Sequence, residues 1–284
     1  MFTLALVLVL CSAILHVTWN VKLQSEDDPL DTATKAVTLG IICLSPVFFA
    51  YWLYLGMPAI SSHALMFSGL SGLAELGYFS FLSYSYRHGE LSVVYPLARG
   101  SAPIFSFAFG VLFLGERISQ MQVVGVGCLL VGIWMVRGAA ISGARGAIPA
   151  VVTGIFIASY TVLDKVGLEG VSPILFGTFK YLFTALCLLA IIPLRPRSNI
   201  VGASRLGLQS WKKMLLIGVC IIATYQLVLF ALTMAPVAII SPLRESASVM
   251  VTIWGIWKLK ERKGLVQKLI GVGAIFIGIV LLAL

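Results

Sequence analysis

Apolar runs of about 20 residues recur from one end of this chain to the other, each interrupted by glycine, proline or charge. Such a run is what an α-helix rising 1.5 Å per residue needs to cross a hydrocarbon core roughly 30 Å thick. Ten can be traced, at 3–21, 35–55, 64–86, 91–114, 121–137, 147–165, 173–193, 213–234, 238–257 and 265–284. Of the 284 residues, 60% are hydrophobic and only 11% charged, and the mean hydropathy is +1.02, so a water-soluble globule is excluded. The expected fold class is an all-α integral membrane protein of ten transmembrane helices. The first 15 residues lack a basic stretch and a small-residue cleavage site, so they are expected to form the first span.

A net charge of +9 would fit a nucleic-acid partner in a soluble chain, but here the basic residues crowd the short loops at helix ends, where they orient spans. No nucleic acid is expected, and membrane lipid is the surrounding partner. Three of the 20 basic residues (Arg99, Lys180, Arg244) fall inside spans, and only Arg117 and Lys165 lie in the loops after even-numbered helices. The others follow helices 1, 3, 5, 7 and 9, which on the positive-inside rule places both termini outside the cytoplasm. The five cysteines sit in apolar runs without a CxxC pair or a nearby histidine, which argues against disulfides and metal. No metal, cofactor or catalytic motif such as HExxH or GxSxG is present, so an enzyme is not expected.

Laying Pro96 on Pro242, an offset of 146, reveals an internal repeat. Leu97 meets Leu243, the turn Leu114-Gly-Glu-Arg117 meets Leu259-Lys-Glu-Arg262 with a one-residue gap, and Gly125, Gly127 and Gly132 meet Gly271, Gly273 and Gly278. The repeats are expected to be 1–138 and 139–284. Five helices per repeat is odd, so the second copy starts on the opposite membrane face, a 5+5 inverted repeat of the kind carriers use. The glycine sets read as close-packing helix faces, with a homodimer contact as one use of them.

The motifs His16-Val-Thr-Trp-Asn-Val-Lys22, Ser92-Val-Val-Tyr-Pro-Leu-Ala-Arg-Gly100 and Leu114-Gly-Glu-Arg117 resemble those of the drug/metabolite transporter superfamily, specifically ten-helix EamA-type carriers, over essentially the whole chain. The resemblance implies alternating access, a cavity lined mainly by helices 1, 3, 4, 6, 8 and 9, small-molecule metabolites as cargo, residence in the inner or plasma membrane, and termini inside, against the charge count.

Charges in a span cost at least roughly 2.5–3.5 kcal/mol each on insertion scales, so Glu75, Arg99, Lys180, Arg244 and Glu245 are functional candidates. Arg99 and Glu245 are equivalent in the repeat, each roughly 10 Å into its helix from opposite faces, which brings them within reach of one another. They read either as a structural lock or as a pair exchanged with cargo, an anion taking Arg99 and an ammonium or proton taking Glu245. Arg244 faces Ala98 in the repeat and calls for Glu75, a substrate anion or water. Glu75 reads as a proton-coupling site or a fixed counter-ion. Lys180 is expected to snorkel along a peripheral helix, with Tyr181 as an interfacial anchor. The five charges leave the interior one positive, which favours an anionic or zwitterionic cargo such as an amino acid, with phosphorylated or phosphonate metabolites as the alternative. Tyr78, Tyr95 and Tyr225 are candidate cargo contacts. Pro96 and Pro242 read as paired helix breaks with a further break at Pro103, and Trp19 and Asn20 as gating residues. The acidic stretch Glu26-Asp27-Asp28 and Asp31 reads as a solvated loop.

Overall fold

A computed structural model describes residues 2–24, 26, 28–88, 91–137, 144–194, 208–245 and 265–283. These residues are helical apart from short turns and contain no strand. The helices are α1 (Phe2–Gln24), α2 (Pro29–Tyr54), α3 (Ser62–His88), α4 (Leu91–Leu114), α5 (Gln120–Arg137), α6 (Ala144–Gly167), α7 (Pro173–Ile191), α8 (Leu208–Met234), α9 (Val237–Arg244) and α10 (Leu265–Ala283). Eight of them are long and apolar enough to cross a membrane, and α5 adds the shorter apolar stretch Gln120–Met135. The protein is therefore a multi-pass membrane protein. The expected span 238–257 is represented by α9 alone, since the remainder lies outside the described residues.

Helix α2 starts before the expected residue 35 because Asp28 and Pro29 form a strong helix start. The Asp28 carboxylate accepts the Asp31 N–H at 3.1 Å, and proline at the first position loses no hydrogen bond. The acidic stretch is correspondingly not a free loop. Asp28 is buried and pairs with Arg87 at 3.1 Å, Asp31 with Lys35 at 2.5 Å within α2, and Glu26 with Lys213, tying the connection between α1 and α2 to α3 and α8. Helix α4 runs from Leu91 to Leu114 and contains both Pro96 and Pro103.

Packing follows a regular exchange. α1 lies on α8 and α6 on α3; α2 lies on α8 and α7 on α3; α4 lies on α6 and α9 on α1; and α2–α7, α4–α9 and α5–α10 pair directly. At α5–α10 the backbones touch. A Cβ on Gly132 would stand 2.6 Å from the Gly271 carbonyl oxygen, and one on Gly278 would stand 2.7 Å from that of Gly125. Gly127 and Gly273 face open space, so only part of each glycine set serves this crossing. Gly132→Leu is accordingly expected to destabilise by about 1–3 kcal/mol through overpacking, whereas Gly127→Leu leaves the unfolding temperature of the purified protein nearly unchanged.

Candidate transport site

Where α1, α3, α4, α6, α7, α8 and α9 converge, a narrow cavity is lined by His16, Trp19, Glu75, Tyr78, Phe79, Arg99, Tyr160, Tyr181, Ile221, Thr224, Tyr225 and Arg244. The start of α9 is fixed because the turn between α8 and α9 is held from both sides. Glu116, from the Leu-Gly-Glu-Arg turn, accepts the N–H groups of Val237 at 2.6 Å and Ala238 at 2.9 Å, closing the N-terminus of α9 with a carboxylate. Lys165 donates to the carbonyls of Leu232 at 2.5 Å and Ala235 at 3.2 Å, closing the C-terminus of α8. At the inner end of α9, the Glu245 N–H turns back onto the Pro242 carbonyl at 3.1 Å.

Arg99 and Glu245 meet at 3.2 Å, both buried, and Arg99 also reaches His16 Nδ1 at 3.4 Å. Trp19 stands edge-on to the His16 ring, centroids 4.7 Å apart. Helix 1 therefore contributes a wall of the cavity. The expectations for Tyr95, Pro96 and Asn20 concern side chains outside the described ones.

Lys180 does not snorkel. It is 0% exposed and donates at 2.8 Å to Asp164, also 0% exposed, with Glu75 at 3.7 Å. Its ammonium sits 3.6 Å from the Tyr225 ring centroid, 4.4 Å from that of Tyr160 and 5.8 Å from that of Tyr181. Such a cage stabilises a desolvated cation through the negative ring faces. Tyr181 is accordingly buried in the core, not an interfacial anchor. Asp164, which the sequence places at a span end, also accepts Ser71 Oγ at 2.5 Å and the Tyr225 hydroxyl. It is the main site residue that sequence reasoning misses. The signal available was Tyr160 and Asp164 at i, i+4, which puts ring and carboxylate on one helix face.

Counting Asp164 corrects the charge balance: Arg99, Lys180 and the half-buried Arg244 meet three buried carboxylates, Glu75, Asp164 and Glu245, so these six groups sum to zero when all are ionised. The cations are not equivalent. Arg99 has Glu245 and Lys180 has Asp164, but among the described residues no carboxylate lies within ion-pair distance of Arg244. Its guanidinium leans on Tyr225, 5.1 Å from the ring centroid. Two more polar groups border the same space without a hydrogen-bond partner among the described residues: the Trp19 indole N–H and the Thr224 hydroxyl, on residues 5% and 2% exposed. Tyr78 joins through ring edges, 6.1 Å from Tyr160. Among the described residues no three His, Cys, Asp or Glu side chains come together as a metal site.

The model of the EamA-like transporter family matches residues 1–138 and again residues 144–284. The chain belongs to the EamA-like transporter family. A solved structure described only as "Crystal structure of protein" shares the fold of this EamA-like chain, with a TM-score of 0.72 at 18% identity over 99% of this chain and 98% of the other. The three motifs that carry the family likeness now have physical roles in this EamA-like protein. Trp19 and His16 form a cavity wall, Arg99 enters the ion pair, and Glu116 anchors α9.

Proposed function

We propose that this EamA-like protein is an alternating-access carrier of a small anionic metabolite in the cytoplasmic membrane. The observation that carries the reading is the character of the hydrogen-bonding capacity left over around the cavity. Among the described residues Trp19 Nε1 and Thr224 Oγ1 are buried beside the cavity with no hydrogen-bond partner, and the half-buried Arg244 guanidinium has no carboxylate within ion-pair distance. An indole N–H and a guanidinium can only donate, and the hydroxyl can donate with them, so together they call for an acceptor. A carboxylate or phosphonate meets that need, and a guanidinium binds either through two parallel bonds. A cationic amine fits less well, because Lys180 already fills the tyrosine cage.

We further read 1–138 and 139–284 as inverted five-helix repeats. The double match of the family model and the exchange in helix packing support this. The α4–α9 pair, carrying Arg99 and Glu245, lies on the axis relating the halves, so rocking there would open the cavity to either side.

The test is thermal unfolding of purified protein against carboxylates, phosphonates, sugar phosphates, amino acids and amines. A ligand at about 100 times its dissociation constant stabilises by about 2.7 kcal/mol. A small anion is expected to give this shift, and Arg244→Gln to abolish it while folding normally, since Arg244 breaks no ion pair on removal. A shift with amines alone, or an anion shift that survives Arg244→Gln, would overturn the reading.

A further inference from the structure

The charges around the cavity leave one carboxylate and one cation outside the tight pairs: Glu75, whose nearest cation is Lys180 at 3.7 Å, and Arg244. Both line the same cavity, and with all six groups ionised the site is neutral. An anion arriving at Arg244 makes the site net negative, and net charge within the hydrocarbon thickness is costly. A proton taken up nearby cancels it.

The geometry singles out the group that takes this proton. Asp164 holds Lys180, Ser71 and Tyr225 as donors, and protonating it would strand several of them. Glu245 holds Arg99. Glu75 receives a single hydrogen bond among the described residues, from Thr184 Oγ1 at 3.0 Å. That same hydroxyl stands 3.0 Å from the Lys180 carbonyl oxygen, so its one proton has two acceptors at equal distance. With Glu75 ionised, Thr184 donates to the carboxylate. With Glu75 protonated, Thr184 donates to the Lys180 carbonyl, and its oxygen accepts the new carboxyl O–H. Both protonation states are then satisfied without moving the backbone. The groups facing Glu75 are Asp164 and Tyr160 from α6 and Lys180 and Tyr181 from α7, while Arg99 and Arg244 share the cavity.

We propose that Glu75 takes up one solvent proton as the anion binds Arg244, so that anion and proton cross the membrane together. No bond in the cargo changes; one O–H bond forms on Glu75 and is broken on release. This rests on the anionic-cargo reading. By linkage, an anion that brings one proton binds about tenfold more weakly per pH unit above the titration of the site.

The experiment is calorimetric titration of the full chain with pyruvate, sulfate and methylphosphonate, in buffers of different ionisation enthalpy, at about pH 6 and about pH 8. After subtraction of the anion's own ionisation, about one proton taken up per bound anion is expected. Glu75→Gln, permanently neutral, is expected to bind with no proton uptake and with the same affinity at both pH values. Anion binding without proton uptake in the wild type overturns the coupling and leaves the anion carrier standing. Uptake that persists in Glu75→Gln overturns Glu75 as the acceptor of the proton and leaves the anion carrier standing. Absence of binding by all three anions overturns both readings. If the variant does not fold, a wild-type count of zero still overturns the proposal.

Discussion

Asp164→Asn is expected to cost about 3–5 kcal/mol, against a total stability of about 5–15 kcal/mol typical of native proteins. The change leaves Lys180 fully buried with only Glu75 at 3.7 Å to balance it, and it withdraws the charged acceptor from Ser71 and Tyr225. Three helices lose an anchor together, since Ser71 is on α3, Lys180 on α7 and Tyr225 on α8. The readouts are the yield of monodisperse protein and its unfolding temperature in detergent. Asp164→Asn with Lys180→Met is expected to recover most of the loss, because a neutral pair of similar volume removes the stranded cation. The exposed Lys213–Glu26 pair supplies the contrast: Lys213→Met is expected to cost at most about 1 kcal/mol. A single Asp164 variant as mild as Lys213→Met would show that the triad carries no structural weight.

How much of this was legible in the sequence depends on whether the cause is local. Long apolar stretches announce spans because crossing a bilayer requires only composition and length, and eight helices meet that requirement among the described residues. The start of α2 is local too, but its Asp-Pro signal is masked by the acidic residues around it, which look solvated until Arg87 is seen against Asp28. The proximity of Arg99 and Glu245 could be reached because the repeat offset supplies long-range information that a single span lacks. Lys180 has no such guide. A lysine in an apolar helix reads as snorkelling unless its partner is known, and Asp164 sits in the last turns of α6, where a carboxylate reads as interfacial. Only the packing of α3 on both α6 and α7 brings Glu75, Asp164 and Lys180 to one place. That the polar groups of Trp19 and Thr224 lack a partner among the described residues is invisible in sequence for the same reason, since a missing partner is a property of the assembled cavity.

Arg99→Ala is expected to destabilise by about 3–5 kcal/mol, because it leaves the Glu245 carboxylate buried opposite an apolar side chain at the α4–α9 crossing. The informative variant is the exchange, Arg99→Glu combined with Glu245→Arg. It keeps an opposite-charge pair at the same crossing, so the unfolding temperature is expected to recover most of the loss. The surroundings of the two positions differ, however. Position 99 faces His16, whereas position 245 follows Arg244 in the chain. The exchange therefore sets a second guanidinium beside Arg244 and moves the carboxylate toward helix 1, shifting the positive potential that an anion meets. Anion counterflow in proteoliposomes is expected to fall at least about tenfold, corresponding to about 1.4 kcal/mol of altered binding. Recovery of folding together with full counterflow would make the pair a lock between halves and nothing more. Recovery of folding without counterflow would place the orientation of this ion pair, beyond its existence, among the requirements for moving the anion.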